Sequence, residues 1–543
     1  MSLLSEFSAT VLQGQQIVGN KISAETTVST DLIVANNLVV DSILSTDSTL
    51  VVENDVQVTN NISANSFLSL HQFNSFPANT ADTALVVSNN PNNTYNRGVL
   101  APNNKIYCFP RKSQNVLIID PEANTTNITS ITGLPATDNK WSGGAVAPNG
   151  KIYGIPYVAN EVLIIDPVTN TADTTTISGL TGVQKWTGGI VYPSDGKIYG
   201  MPNYDPSVLI IDPVTNTADR TTITGLSTVG DKYNSEALGP DNKIYGVPLD
   251  ETRVLIVDPS SPVTNISNLY VINLGTANYV DSSKTLNTPG ATLLTKLARG
   301  DNIVMTTTSG KYTGYIETLT NTSMVFVYAL GVNLVAGTIT KLEKTKKADV
   351  TSIVGLTGGS GYQLSGYQGK YAGGVLGADN KIYCMARDAA SVLIVDPSSP
   401  IVDISSFFNL TLASYNNTTK TLNNGSNLTS VLTVGDNILI TDKTNPPNYF
   451  TGYIQTLTNT QMTFVYALGA DILATNIASI QKTRKLDITT IPVVPGTVQW
   501  GAGVLAPNGN IYGVPILANS VLKVKTGLPT LPPWMLQAAF NKY

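Results

Sequence analysis

Five aspartates recur at one place in a repeated phrase: Asp120, Asp166, Asp212, Asp258 and Asp396. Drawn into a ring, their carboxylates would raise one another's pKa values and attract a cation. Each is followed by proline, however, and Asp-Pro closing an apolar run is turn chemistry, with the side chain accepting local backbone N–H groups. The turn reading is preferred. Aromatic residues recur as well. Trp141, Trp186, Tyr233, Tyr371 and Trp500 stand at the start of equivalent segments, where a ring of exposed aromatics would suit stacking on sugars or packing on a protein. The competing reading wedges them between structural units. Both stay open at this stage, and these five are the candidate ligand-binding residues. Cys108 and Cys384 share one repeat position and read as structural thiols, not a redox pair. A single histidine, His71, leaves no basis for histidine catalysis or a multi-histidine metal site. Glu236, Asp231 and Glu251 are scattered. The expectation is no catalytic residue, no metal and no cofactor.

The elements that position these residues come from an internal repeat, the feature to look for first. Asn104-Lys105-Ile106-Tyr107 returns as Gly150-Lys151-Ile152-Tyr153, Gly196-Lys197-Ile198-Tyr199, Asn242-Lys243-Ile244-Tyr245, Asn380-Lys381-Ile382-Tyr383 and Gly509-Asn510-Ile511-Tyr512. Lys105, Lys151, Lys197 and Lys243 stand at even steps of 46 residues. One unit reads as four short strands: Gly188–Val191, Lys197–Met201, Val208–Ile211 and Thr221–Thr224, the third nearly all apolar and the fourth Thr-rich. That period and content predict a β-propeller blade, and six copies predict an all-β, six-bladed propeller. The sixth copy lacks a fourth strand. Asn79–Val87 mirrors Asn170–Ile177, so Leu85, Val86 and Val87 are expected to lie beside Val521 and Leu522 and close the ring. A β-solenoid is the rival fold and predicts no borrowed strand.

Two insertions interrupt the fourth and fifth units between their third and fourth strands, at 260–346 and 398–484. They are copies: Gly300-Asp301-Asn302-Ile303 matches Gly435-Asp436-Asn437-Ile438, and Phe326–Gly331 matches Phe464–Gly469. Each is expected to form a small β-barrel or sandwich. The propeller then occupies 71–259, 347–397 and 485–543. Residues 1–70 do not follow the repeat. Their short apolar pieces, such as Leu32-Ile33-Val34 and Leu50-Val51-Val52, are too small to bury themselves in one chain. They suit a fibre-like β-rich arm that assembles as a trimeric shaft or serves as an anchor. A loosely strand-forming tail is the alternative.

Composition bounds the rest. Of 543 residues 13% are charged and the formal net charge is −5, which gives no footprint for nucleic acid. No apolar run reaches the ~20 residues of a membrane helix, and the first ten residues lack the pattern of a secretory signal.

The phrase Ala147–Pro156, with Val162–Pro167 after it, resembles repeats in proteins of large double-stranded DNA viruses of protists and algae. The segment Pro533–Tyr543 resembles the way those proteins end. The resemblance spans 78–543 apart from the insertions. Lys525 departs from it in place of the unit's Asp, Ala386 in place of Pro, and Cys108 and Cys384 in place of Gly. It implies a viral origin and a place at the virion surface, with synthesis in the host cytoplasm.

These readings predict a non-enzymatic virion appendage: a homotrimer through its arm, touching other virion or capsid proteins, its head binding a host-surface glycan or protein. A capsid-associated protein anchoring other virion components is the alternative. A glycan-acting propeller enzyme is the third. No Ser-x-Asp-x-Gly-x-x-Trp box of the sialidase kind is present, and histidine is missing from the repeats.

Overall fold

The computed structural model describes strand backbones within 7–44, and residues 95–525 apart from 124, 229, 268–271, 352, 354–355, 357–368, 390, 445–448, 466, 469, 484–485, 488–492, 494–499, 506–509 and 516–521. The chain divides into two compact units, Met1–Ala84 and Leu85–Tyr543.

In the larger unit each repeat is an antiparallel meander. The first sheet takes Tyr95–Leu100, Ile106–Pro110, Leu117–Asp120 and Thr125–Asn127. The second takes Trp141–Val146, Ile152–Pro156, Leu163–Asp166 and Thr171–Asp173; the third takes Trp186–Val191, Ile198–Pro202, Leu209–Asp212 and Thr217–Asp219. The fourth runs Tyr233–Leu238, Ile244–Pro248, Leu255–Val257 and Ala348–Asp349; the fifth runs Tyr371–Leu376, Ile382–Ala386, Leu393–Val395 and Leu486–Asp487. The sixth has three strands among the described residues: Trp500–Leu505, Asn510–Pro515 and Leu522–Lys525. The only helical pieces described are three single 3-10 turns. No described helix is long and apolar enough to cross a membrane.

The outer strand differs from the sequence expectation. In the third sheet it is Thr217–Asp219, not Thr221–Thr224. Asp219 ends it: its Oδ1 accepts the N–H groups of Thr221 at 2.6 Å and Thr222 at 3.2 Å. Asp173 does the same to Thr175 and Thr176. A carboxylate that captures the next two backbone donors takes them from the ladder.

Hydrophobic cores lie between consecutive sheets. Tyr107, Phe109, Trp141 and Ile165 fill the first such layer, and Tyr153, Ile155, Trp186 and Ile211 the second. Third strands are buried because a sheet packs on each face, as their apolar runs require. A buried aromatic of this size removes roughly 150–250 Å² from water, about 4–6 kcal/mol before the entropy of ordering. The first strands pack against one another in order, from the first sheet to the sixth. Among the described residues, packing of that extent does not join the sixth sheet to the first. Leu85, Val86, Val87 and Val521 lie outside the described residues. Leu522 is described, pairing with Gly513.

Both insertions fall between a sheet's third and fourth strands, and each builds a seven-stranded sheet with its own core. Their internal copying extends to geometry. Tyr279 and Phe326 set their ring centroids 5.7 Å apart, and Tyr415 and Phe464 repeat that separation. The first insertion is seated on the repeats. Tyr315 and Val327 enter the core between the third and fourth sheets, and the Tyr315 hydroxyl donates to Thr224 O at 2.6 Å. In the second, Tyr453 enters the core between the fourth and fifth.

Among the described residues of the smaller unit every pairing is parallel. Phe7–Ser8 and Val11–Gly14 pair with Ile17–Thr30, which pairs with Ile33–Leu44. Val11 lies beside Thr27 and Ile17 beside Ile33, partners sixteen positions apart. Two residues separate Ile17–Thr30 from Ile33–Leu44. A straight 14-residue strand would be about 45 Å long, far beyond the return reach of two residues. The backbone therefore curls within each turn of fifteen or sixteen residues, and the turns stack.

Candidate functional site

The five aromatics proposed as a binding ring are buried: Trp141 and Trp186 are 0% exposed, Tyr233 1%, Tyr371 3% and Trp500 5%. This corrects the exposed platform in favour of the wedge. Their sequence position explains it. Each starts a first strand opposite the residue that ends the second: Trp141 faces Pro156, Trp186 faces Pro202 and Tyr371 faces Ala386. Trp141 Nε1 donates to Glu161 O at 2.9 Å and Trp186 Nε1 to Ser207 O at 2.7 Å, so their polar atoms are used internally.

A lysine precedes four of the aromatics, a signal the sequence reading passed over. Lys140, Lys185 and Lys232 are buried. The Lys185 ammonium donates to four carbonyls, of Tyr157, Val158, Ala159 and Gly182, at 3.2, 3.3, 2.8 and 3.0 Å. Burial pulls Lys185 down to about 8, with Asp205 opposing, and pulls Lys232 to about 8 as well. The backbones of these lysines form a belt. Lys140 N–H donates to Arg111 O, Tyr157 N–H to Lys140 O, Lys185 N–H to Tyr157 O and Asn203 N–H to Lys185 O. The chain of bonds continues through Lys232, Leu249, Lys370 and Arg387, crossing from the first sheet to the fifth.

That belt gathers the loops after the second strands at one end of the sheets, and with them Arg111, Tyr157, Tyr204, Asp250 and Arg387. Tyr204 donates its hydroxyl to Asp231 Oδ2 at 3.4 Å. Burial pushes the Tyr157 hydroxyl up to about 12; Asp231 adds to this, and Arg111 and Arg387 oppose it. Burial raises Asp250, against the pull of Lys370 and Arg387, and its Oδ1 is buried without a hydrogen-bond partner. The backbone belt thus brings the loops after the second strands of the first five sheets together at one end of the sheets.

Farther in, the first strands are lined by small residues. Gly143, Gly188, Ser235, Gly373 and Ala502 are equivalent, as are Gly98, Gly144, Gly189, Gly374 and Gly503. Each row has one large exception, Arg97 in the former and Glu236 in the latter, and this break in the repeat is the sequence signal for the centre. Arg97 Nη2 donates to Asn234 O on the fourth sheet at 2.6 Å. Glu236 Oε1 accepts from Gly189 N–H at 3.0 Å, while Oε2 is buried with no partner. A Cβ on Gly188 would stand 1.6 Å from that Oε2, so only glycine leaves room for the carboxyl. Burial pushes Glu236 up to about 7, with Arg97 and the Gly189 N–H pulling back.

The recurrent aspartates behave as turn residues. Asp166 Oδ1 accepts Val168 N–H at 2.9 Å, and Asp212 Oδ1 accepts Val214 N–H at 2.9 Å. Cys108 and Cys384 are free thiols that burial pushes up to about 11 and about 12, which makes them unreactive. Among the described residues no group of three or more His, Cys, Asp or Glu is arranged to hold a metal.

No family profile matches the chain, and no curated protein matches it. Solved structures do. Virginiamycin B lyase from Staphylococcus aureus is 10% identical with a TM-score of 0.31, covering 73% of this chain and 94% of that one. Kuenenia stuttgartiensis hydrazine synthase is 12% identical with a TM-score of 0.30, covering 80% and 96%. The calcium-binding protein regucalcin from Agrobacterium tumefaciens is 12% identical with a TM-score of 0.28, covering 56% and 70%. Likenesses this distant carry nothing about what this chain does.

Proposed function

We propose that the chain is a six-bladed β-propeller head on an assembly arm, acting by binding, without catalysis, as an appendage at a virion surface. The arm's geometry carries this reading. Its described strands are all parallel, and parallel sheets are found with both faces covered. Further copies or a neighbouring protein can supply that cover, which suits a shaft or anchor. For the head, the proposal is a ring closed through residues 79–87, which lie outside the described residues. Two observations favour a ring: first strands that pack in sequence, and an arginine on the first sheet that reaches the fourth. The head offers a polar mouth lined from several sheets, and it holds its loops rigidly. That is a binding surface for a glycan or protein of a host cell.

Mass photometry of the full chain against residues 71–543 tests the arm. A trimer for the full chain and a monomer for the shorter one are expected; the same mass state for both would remove the assembly role.

A further inference from the structure

We propose that the mouth between the loops after the second strands binds a neutral, polyhydroxylated glycan residue, with Asp250, Arg387 and Tyr204 as its contacts. This rests on the reading of the head as a binding module and names its ligand class.

The mouth presents both signs of charge at once. Hydrogen bonds make the group contiguous: Tyr204 donates to Asp231, Asp250 N–H to Asp231 O, the Lys370 ammonium to Asp250 O at 2.9 Å, and Arg387 N–H to Lys370 O, so two carboxylates and two cations sit side by side. A simple anion or cation entering there meets like charge on part of the wall. A sugar hydroxyl donates and accepts through one oxygen, so a row of hydroxyls satisfies carboxylate and guanidinium together. Asp250 is the acceptor: the residue is only partly buried, its Oδ1 is turned inward without a hydrogen-bond partner, and a backbone bond from Asp250 N–H to Asp231 O at 2.8 Å fixes its place, so a rotation of the carboxyl brings that oxygen to an entering hydroxyl. A buried oxygen without a donor is unfavourable, and a ligand hydroxyl relieves it. Tyr204 stands at the rim, 36% exposed, its hydroxyl tied to Asp231, and offers a ring face to the C–H side of a sugar. Arg387 is positioned by Gly369, where a Cβ would lie 2.5 Å from its Nη1. Beneath this layer Glu236 repeats the theme. It lies five positions beyond Asp231 on the same segment, with its own unpartnered oxygen.

The test is binding of the full chain to a printed array of neutral and acidic oligosaccharides, then calorimetric titration with the strongest neutral binder. Asp250→Asn and Tyr204→Ala are measured beside the native chain, with melting temperature as the folding control. Gly369→Ala, which displaces Arg387 without removing charge, is the second line should either variant fold poorly. Expected is selective retention of neutral glycans and a loss of about tenfold or more in affinity for each variant at unchanged melting, the worth of one charge-assisted hydrogen bond. Native-like affinity in folded variants overturns the mouth as the site and leaves the binding head standing. Retention of acidic glycans alone overturns the ligand class. An array with no binder overturns both the ligand class and glycan recognition by the head.

Discussion

Arg97 on the first sheet donates through Nη2 to the carbonyl oxygen of Asn234 on the fourth, 2.6 Å away across 137 positions of sequence. Two sheets in between pack side by side, so this bond requires the row of sheets to curve around a common centre. It also explains why that centre is lined with glycine. A Cβ on Gly143 would meet Gly188 O at 2.8 Å and the Arg97 stem at 3.2 Å.

Arg97→Met keeps the stem and removes the donor. The loss expected is about 1 kcal/mol, since the group is exposed and water replaces part of the bond. Urea denaturation read by tryptophan fluorescence measures it, and no change in midpoint would show that the strut carries no load.

Glu236 links the centre to pH. Its folded pKa, about 7, lies above the usual carboxyl value, so folding favours the protonated form. Its contribution is complete below the unfolded pKa and is lost as pH rises toward 7, at most about 3 kcal/mol. Glu236→Gln should therefore flatten the decline in stability between pH 4.5 and 7. Melting temperatures across that range check this; parallel curves for the two proteins would contradict it.

Lys185→Met should cost about 3 kcal/mol or more, because buried carbonyls are left without their donor. Lys112→Met is the control. The Lys112–Asp138 pair, 3.4 Å apart, is largely exposed and its loss should cost under about 1 kcal/mol. Equal effects in thermal denaturation would show that the ammonium cage contributes nothing special.

Much of this architecture could be read from the chain. The Lys/Asn-Ile-Tyr repeat located every second strand, and Asp-Pro located the end of the third in five of the six units; both depend on local chemistry that repeats. The copied insertions were visible for the same reason. The aromatics were misplaced because a Trp at the head of a strand carries no mark of which side it turns to. What decides it is the neighbouring sheet packed over the ring, which no local pattern records. Arg97 went unnoticed, and Glu236 read only as a scattered acid, for a different reason. They are legible only as exceptions to glycine in aligned first strands, and their meeting depends on the curvature of the whole row.

Tyr315→Phe removes one hydroxyl at the seat of the first insertion and leaves Thr224 O unpaired. A loss of about 1 kcal/mol is expected, together with faster amide exchange around Thr224. Unchanged exchange there would mean the insertion is held by its apolar contacts alone.

An experimentally determined structure of the intact chain, read at residues 79–87, tests the closed ring most directly. The account expects residues 79–87, as a strand, alongside 521–524. Finding that segment anywhere else, or a ring with another number of sheets, would contradict it.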